Sequence, residues 1–507
     1  NLWGIKMDMF LQGLQNFMDF RVILFSVVGM SVGIIFGVIP GLAAKIGIVL
    51  FLPVTYFMEP IEALLVLLGI FCGATYGGSI TAILLGAPGT NSAAATVLDG
   101  YEMTKNHQAW RALMMALVAS VVGGVVSALL LLAAAPTVAS ATIKFAPPEL
   151  FTISAFGLSV IAAVSGKNFW KGLVGGAIGM LLSTVGSDTM SGKTRFLFGN
   201  IKLSTGLSMS AVLLGIFAMC VILDKTREQF ERKEKIERIT FSHEDRLSWK
   251  EIVECTPLML KSSLIGCIIG IIPGVGAGIA SILSYNEAKR TSKTPEKFGT
   301  GFIEGVAAPE AANNAVTGSA LIPTLTLGIP GAPAAATLMA AFTIHGLTPG
   351  PLLFKTSGSQ MYSIMIGFLF LNFAMLLIGY IMCRFFVNVV RVPSEVLIPI
   401  LTLTCIAGAY SEAGSMIQVY TLLAFGLLGY IFSLVQIPSI PIVLGFILGE
   451  LSEFNFRRSL VMSDQSLSIF FKRPICVFFI VLTFVFIFTL TADTNKLKAK
   501  FKKGRES

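Results

Sequence analysis

Long runs of apolar residues follow one another along most of this chain, and they predict membrane-spanning helices. The clearest runs cover residues 113–132, 364–383 and 476–490, the last extended by its apolar flanks. A helix needs about 20 apolar residues to cross the hydrocarbon core, so each run fits one crossing. The runs are continuous rather than alternating, which disfavours a transmembrane β-barrel. We predict an all-α, polytopic membrane protein with about twelve transmembrane helices.

Pro-Gly pairs interrupt the apolar runs at four places, and these places form two matching pairs. Residues 33–44 read GIIFGVIPGLAA and residues 266–277 read GCIIGIIPGVGA, so their glycines and prolines align without a gap. Further on, residues 86–96 read GAPGTNSAAAT and residues 328–337 read GIPGAPAAAT, with one residue dropped. Two matches in the same order predict an internal duplication into two homologous halves, which is a feature of transporters.

A Pro-Gly pair inside an apolar run predicts a broken helix or a re-entrant hairpin, because Pro lacks a backbone donor and Gly relaxes the chain. Unpaired backbone groups at membrane depth are tolerated only where protein or a water-filled cavity covers them, and transporters bind solutes and ions there. The alternative is a kinked helix that packs through small residues. The duplication favours a site, whose predicted substrate-binding residues are Lys45, Pro88, Gly89, Thr90, Asn91, Ser92, Pro330 and Gly331.

Two features of this set suggest how it acts. Thr90, Asn91 and Ser92 are short polar residues that suit either the cap of a new helix or contact with a solute. Lys45 is a lone cation after the first break, which either attracts an anionic solute or extends toward the interface.

The second half carries a dense group of polar residues between residues 304 and 331. Glu310, Asn313, Asn314 and Thr317 follow the i, i+3, i+4, i+7 pattern and so share one helical face. Such residues in a membrane usually face a cavity or one another, and hydrogen bonding between helices is the alternative. Glu310 follows Pro309, so it can instead lie at a helix start, where a carboxylate is favoured. The predicted coupling-ion or helix-break residues are Pro40, Gly41, Pro273, Gly274, Gly276, Glu310, Asn313, Asn314 and Thr317.

Composition and charge agree with a membrane protein and suggest its orientation. Of the 507 residues, 54% are hydrophobic and 13% are charged, and the net charge is +9. Lys and Arg concentrate on the cytoplasmic side, so the basic tail at residues 496–507 is predicted to be cytoplasmic. Residues 224–250 form the longest hydrophilic stretch and are predicted to be a cytoplasmic connector. The predicted domains are therefore a first half (residues 1–223), the connector, a second half (residues 251–495) and the tail.

The sidedness of the second half imposes a further condition. Residues 286–298 contain four Lys and Arg residues, so they also look cytoplasmic, like the connector. If both predictions hold, residues 257–285 enter the membrane and return as a hairpin at Pro273-Gly274.

Other classes of protein have less support in the sequence. The seven cysteines and three histidines lack metal-ligand spacing, so we expect neither a metal site nor a cofactor. The stretch GSDTMSGKT at residues 186–194 has one residue too many for a phosphate-binding loop. No nucleophile–base pair or HExxH motif indicates an enzyme, although a channel or an intramembrane enzyme acting on a small polar or lipid substrate is the alternative. The basic charge does not indicate nucleic-acid binding.

Four segments together resemble a known family. They read GVIPGLAA, YGGSITAILLGAPGTNSAAATVLDGYEM, the run from PGVGAGIASIL to LIPTLTLGIPG, and HGLTPGPLLF. In these segments the chain resembles the large membrane subunit of the tripartite tricarboxylate transporters, the TctA-like family. The resemblance covers nearly the whole chain and is densest in residues 29–104 and 264–354.

The resemblance implies a multi-pass secondary transporter of the bacterial inner (cytoplasmic) membrane. It implies two protein partners, a small four-span membrane subunit (TctB-like) and a periplasmic solute-binding protein (TctC-like). The implied cargo is citrate or a related carboxylate, and the implied driving force is a gradient of Na⁺ or H⁺. The chain departs from the family pattern at Lys45, where small or hydroxyl residues are frequent, and at Thr90-Asn91-Ser92, where small residues and Glu are frequent. These departures bear on the solute rather than on the family.

Overall fold

The computed structural model describes residues 2–39, 44–142, 145–164, 169–188, 190–220, 222–223, 226–227, 246–274, 276–389 and 394–487. The described residues are almost entirely helical, with one two-stranded hairpin of Gly186–Ser187 (β1) and Thr194–Arg195 (β2). The chain divides into two compact units. Unit 1 comprises Asn1–Thr142 and Val221–Gly414, and unit 2 comprises Ile143–Cys220 and Ser415–Ser507. Each unit therefore draws on both predicted halves, whose boundaries stay a prediction.

Unit 1 holds most of the helices and all of the predicted site residues that the structure describes. Its helices are α1 (Leu2–Phe17), α2 (Phe20–Val38), α3 (Ala44–Thr55), α4 (Pro60–Leu85), α5 (Val97–Lys105), α6 (Ala109–Thr142), α10 (Trp249–Ile271), α11 (Gly276–Thr291), α12 (Glu304–Ser319), α13 (Leu321–Leu327), α14 (Pro333–Ile344), α15 (Leu353–Thr356), α16 (Gly358–Val389) and α17 (Ser394–Ala413). Short 3₁₀ turns lie at Asn91–Ala93 and Pro295–Lys297.

Unit 2 is built from α7 (Pro147–Val164), α8 (Phe169–Ser183), α9 (Met209–Leu213), α18 (Met416–Leu434), α19 (Ser439–Met462), α20 (Ile469–Lys472) and α21 (Pro474–Ile487). Beside the β-hairpin, Arg457 Nη1 lies 2.9 Å from Asp188 Oδ1, and Arg195 Nη1 lies 2.9 Å from Glu453 Oε1. Hydrogen bonds from Ser191 and Arg457 hold the pKa of Asp188 well below its usual range. This network fixes the hairpin to α19.

Seven described helices are long and apolar enough to cross a membrane, namely α2, α4, α6, α10, α16, α18 and α19. The apolar runs at residues 113–132 and 364–383 lie inside α6 and α16. The third run overlaps α21, and its residues beyond 487 lie outside the described residues. An all-α membrane protein is therefore confirmed, whereas the prediction of about twelve spans stays a prediction.

The glycines of the first repeated motif allow two pairs of helices to pack backbone to backbone. In the first pair, a Cβ on Gly33 of α2 would lie 2.6 Å from the Ile70 Cα of α4. In the second pair, a Cβ on Gly266 of α10 would lie 2.4 Å from the Ala312 carbonyl oxygen of α12. Side chains at these glycines would push the helices apart, so both copies of the motif serve the same close approach.

Helices α10 and α11 form a hairpin whose turn includes Pro273-Gly274. The chain turns at Ile272, whose φ of −78° and ψ of 113° end α10, and α11 then runs back. Lys261 Nζ lies 2.8 Å from Glu287 Oε1, which pairs the middle of α10 with the last turns of α11. The start of α10 and the end of α11 therefore lie at the same end of unit 1.

Candidate functional site: a buried carboxylate between two helix breaks

Glu310 lies within α12 rather than at its start. The helix begins at Glu304 and continues through Pro309, and the Glu310 side chain is 0% exposed. The alternative that Glu310 caps a helix start is therefore wrong, because Glu304 occupies that end. A buried carboxylate is expensive unless hydrogen-bond donors surround it.

Three hydroxyl groups from the first half of the chain supply those donors. Ser79 Oγ of α4 donates to Glu310 Oε1 at 2.7 Å, and Thr96 Oγ1, just before α5, donates to the same oxygen. Ser120 Oγ of α6 donates to Glu310 Oε2 at 3.2 Å. Because its donors and its acceptor come from different halves of the chain, this cluster joins both halves through one side chain. Hydrogen bonds to a charged acceptor are about twice as strong as neutral ones.

The other members of the polar stripe extend the cluster along α12. Asn314 Nδ2 donates to Ser120 Oγ at 2.8 Å, and Thr317 Oγ1 donates to the Asn314 carbonyl oxygen of its own helix at 2.6 Å. The Asn314 Oδ1 and both amide atoms of Asn313 are buried without a hydrogen-bond partner among the described residues. Most buried polar groups in native proteins are paired, so these three atoms are available to a ligand.

The breaks that the sequence predicted meet beside this cluster. A Cβ on Gly89 would lie 2.4 Å from the Gly37 carbonyl oxygen, and Gly274 N donates to the Gly331 carbonyl oxygen at 3.3 Å. A Cβ on Gly278, just inside α11, would lie 3.5 Å from the Asn91 carbonyl oxygen. Three breaks are thus in contact. The remaining break, at Pro40 and Gly41, lies outside the described residues.

The predicted substrate-binding residues differ in how accessible they are. Pro88 and Asn91 are exposed, and Thr90 and Ser92 are half-buried with their hydroxyl oxygens 3.0 Å apart. Pro330 and Gly331, by contrast, are buried in the core. Lys45 is half-buried in the first turn of α3, directly after the first break. At the Pro273-Gly274 break, Gly274 and Gly276 have φ values of 82° and 74°, a conformation that glycine adopts readily.

Asp99 is an important residue that the sequence reasoning missed. Its side chain is 0% exposed, and its Oδ1 accepts the backbone N–H groups of Gly299, Gly301 and Phe302 at 2.8–3.0 Å. Its Oδ2 accepts the Tyr285 hydroxyl at 2.8 Å. Asp99 therefore ties α5 to the loop between α11 and α12. An acidic residue in an apolar segment after a helix break indicates a buried role, but the sequence does not predict which residues it contacts.

Comparison with known proteins identifies the family. Residues 23–444 match the model of the "Tripartite tricarboxylate transporter TctA family". The chain belongs to this family. A 52.8 kDa protein of Agrobacterium vitis, described as uncharacterized and in the TAR-I ttuC' 3' region, is 35% identical over 448 residues, covering 88% of this chain and 89% of that protein. A second Agrobacterium vitis protein, in the TAR-II ttuC' 3' region, is 35% identical over 210 residues, covering 41% of this chain and 87% of that protein. No solved structure matches the chain.

Membership settles the broad class that the motifs indicated. The TctA family is a family of membrane transporter components in tripartite tricarboxylate transport, not a family of enzymes. The resemblance drawn from the motifs is therefore confirmed. Among the described residues, no group of three or more His, Cys, Asp or Glu side chains is placed to hold a metal ion.

Proposed function

We propose that this chain is the membrane subunit of a bacterial inner-membrane importer that takes up a carboxylate with the energy of a cation gradient. Its proposed partners are a TctC-like periplasmic solute-binding protein, which delivers a tricarboxylate such as citrate or a related carboxylate, and a small TctB-like membrane subunit. Family membership and the seven apolar helices support this assignment. The finer details rest on the geometry of unit 1.

The single observation that carries the proposal is the position of Glu310. Its carboxylate is fully buried, receives hydroxyl groups from α4, α6 and the residue before α5, and lies beside the helix breaks. Carboxylate, hydroxyl and amide oxygens are ligands for a small hard cation, and a buried carboxylate can equally carry a proton. We assign coupling-ion binding to Glu310, with Asn313 and Asn314 supplying amide oxygens.

The carboxylate cargo requires a different surface. Half-helix N-termini and Gly-rich turns present backbone N–H groups to anions. The loop with half-buried Thr90 and Ser92 and exposed Asn91 precedes α5 and offers both N–H and hydroxyl donors. We assign the solute to this loop, which connects to the proposed ion site through Thr96, whose hydroxyl donates to Glu310.

Helix directions support an inverted relation between the two halves. On α4 and α12, Ser79 contacts Glu310, and one turn further along α4 Ile83 packs at Gly100 of α5, where the start of α12 also packs through Gly305 and Asp99. The two helices therefore run antiparallel. On α6 and α16, Leu117 packs at Gly379 whereas Gly124 packs at Asn372, so these helices are also antiparallel. The repeated motifs place α4 with α12 and α6 with α16 as counterparts. Antiparallel counterparts are the arrangement of a repeat with inverted topology.

Charge then indicates which end of unit 1 faces the cytoplasm. An ion pair between Arg111 and Glu251 joins the starts of α6 and α10, and Asp99 holds the loop after α11 at the same end. We call this the basic end of unit 1, because Lys105, Lys289, Arg290, Lys293 and Lys297 also lie on its segments. Excess Lys and Arg mark cytoplasmic loops, so we assign the basic end to the cytoplasm.

The test is uptake into proteoliposomes that contain the membrane complex, with the solute-binding protein and labelled carboxylate outside. We expect the ion gradient to stimulate uptake by up to about 100-fold, which is the range of typical coupling free energies. Glu310→Gln should remove this stimulation. Glu304→Gln is the matched control, since Glu304 lies on the same helix but only half-buried at its start. Imposing Na⁺ and pH gradients separately identifies the ion. Uptake by Glu310→Gln with unchanged ion dependence would contradict the assignment.

A further inference from the structure

A groove on unit 1, separate from the Glu310 cluster, lies between three helices. It has a volume of about 940 Å³ and is lined by residues of α6, α16 and the segment that starts α10. All three contribute from the basic end of unit 1, because the lining begins at Trp110 on α6 and at Arg246 before α10. The three helices around it are each long and apolar enough to cross a membrane.

The groove is charged at one end and apolar along the rest. Arg246 and Arg384 lie in its lining, and none of the described lining residues is acidic. Neither arginine forms an ion pair with a described residue, although Arg384 Nη2 donates to the Tyr380 hydroxyl at 2.7 Å. The groove therefore offers two positive charges that the described side chains around them do not neutralise.

The apolar part has the length of one membrane leaflet. Along α16 the lining runs from Arg384 and Tyr380 through Leu377 to Phe373, which is 56% exposed. Eleven residues of helix separate the first from the last, or about 16 Å at 1.5 Å per residue, which is about half of a 30 Å hydrocarbon core. Trp110 packs edge-on against Tyr380 with ring centroids 5.9 Å apart, as aromatic residues do at the membrane interface.

We propose that this groove binds an anionic phospholipid of the membrane, with the phosphate between Arg246 and Arg384 and the acyl chains along Leu377 and Phe373. Charge complementarity selects the occupant. A second protein helix would satisfy the apolar walls, but it would leave the two arginines unpaired unless it carried acidic residues at the same depth. An anionic phospholipid carries its negative charge in the headgroup, which lies at that depth.

The test follows quenching of Trp110 by brominated lipids. The chain has four tryptophans, so a variant with Trp3, Trp170 and Trp249 changed to Phe reports from the groove alone. In mixed micelles we expect brominated phosphatidylglycerol to quench at a lower mole fraction than brominated phosphatidylcholine with the same chains. Each arginine near the surface strengthens binding of an anionic lipid by about fivefold. The double variant Arg246→Gln/Arg384→Gln should lose this preference, and Arg246→Lys/Arg384→Lys should keep most of it.

Lys293→Gln is the matched control, because it removes an exposed positive charge from the same end of unit 1 without touching the groove. It should leave the preference unchanged. Equal quenching by the two lipids, or a preference that survives the double Gln variant, overturns the proposal. Displacement by soluble glycerol phosphate would show an anion site instead of a lipid site. Loss of quenching when the small membrane subunit is added would show that a protein occupies the groove.

Discussion

Two matching segments of unit 1 have nearly the same backbone and very different side chains. The first begins at Gly86, with φ 67° and ψ 9°, and the second begins at Gly328, with φ 69° and ψ 24°. They end at Asn106, with φ −83° and ψ 17°, and at His345, with φ −84° and ψ 16°. The first segment carries an exposed polar loop and the buried acid Asp99, whereas the second is apolar and mostly buried.

The same contrast holds for the helices that precede these segments. When the two halves of the sequence are aligned at Gly86 and Gly328, Glu310, Asn313 and Asn314 of α12 align with Leu68, Phe71 and Cys72 of α4. The carboxylate and amides thus come from one half, and the hydroxyl groups that meet them come from the other. The two breaks therefore share a backbone conformation, and the side chains around them differ.

Each segment is also held by the opposite half. Asp99 of the first segment binds the loop after α11, and His345 Nε2 of the second lies 2.9 Å from Thr55 Oγ1 at the end of α3. Helix α3 is the first helix after the Pro40-Gly41 motif and α11 is the first after the Pro273-Gly274 motif, so the anchors correspond in place. They differ in strength, because one is a buried carboxylate with four donors and the other is one hydrogen bond.

The sharpest test of the contrast uses the two threonines that end the matching motifs. Thr96 donates to Glu310, whereas Thr337 Oγ1 donates to the Ala334 carbonyl oxygen of its own helix at 2.7 Å. Both are buried. We expect Ser79→Ala/Thr96→Val to reduce gradient-driven uptake by about 100-fold, since each hydrogen bond to a charged group contributes about 1.5–3 kcal/mol. Thr337→Val should transport almost normally, and equal losses in the two variants would mean that the halves share the site.

The next effect concerns the anchor at Asp99. Asp99→Asn keeps the shape but removes the negative charge that accepts three backbone N–H groups and the Tyr285 hydroxyl. We expect the free energy of unfolding, measured by denaturant titration in micelles, to fall by about 2 kcal/mol. Tyr285→Phe removes one of the four donors and should lower it by about 1 kcal/mol. A larger loss in Tyr285→Phe than in Asp99→Asn would show that the tyrosine hydroxyl contributes more than the charge of the carboxylate to holding the loop.

The sequence predicted much of this arrangement because local rules govern it. Pro-Gly pairs located the breaks, and the 3.6-residue period placed the polar stripe on one face of α12. Proline alone was a weaker guide: Pro53, Pro136 and Pro309 all lie inside helices. The number of spans was harder still, since α3 and α14 have 12 residues each and do not cross a membrane alone. Apolar length does not distinguish one span from two arms of a hairpin.

The partners of Glu310 could not be predicted, because their selection is not local. Ser79 and Thr96 precede Glu310 by more than two hundred residues, and each lies among many similar small residues. A hydroxyl in an apolar helix usually bonds to its own backbone, as Ser26 does to the Val22 carbonyl oxygen at 2.6 Å. Only the packing of α4 and α6 against α12 decides which hydroxyls do otherwise.

A smaller effect is expected at Asn313, whose counterpart on α4 is Phe71. The unpartnered amide of Asn313 is buried beside Glu310, so it can complete the coordination of a cation. We expect Asn313→Ala to raise the cation concentration for half-maximal uptake by about fivefold with the maximal rate retained. Asn455→Ala is the control, because Asn455 is a buried amide of unit 2 that donates to the Leu451 carbonyl oxygen. An unchanged half-maximal concentration in Asn313→Ala would assign the amide to packing.

The smallest effect tests how closely the two backbones correspond where the two matching segments end. His107 follows α5 with φ 60°, and Gly346 follows α14 with φ 78°. Both are followed by the same helix-ending hydrogen bond, from Gln108 N to the Met103 carbonyl oxygen at 2.7 Å and from Leu347 N to the Phe342 carbonyl oxygen at 2.9 Å.

A side chain in this left-handed conformation is unfavourable by about 1 kcal/mol relative to glycine. His107→Gly should therefore raise the free energy of unfolding by up to about 1 kcal/mol, and Gly346→Ala should lower it by a similar amount. Gly176→Ala, on α8 with no atom closer than 4.0 Å to the added Cβ, is the control for the substitution itself. Uptake should not change in His107→Gly, because the exposed imidazole lies outside the Glu310 cluster. A lower free energy of unfolding in His107→Gly would mean that the imidazole makes a stabilising contact. The two helix ends would then share a backbone conformation but differ in how much they contribute to stability.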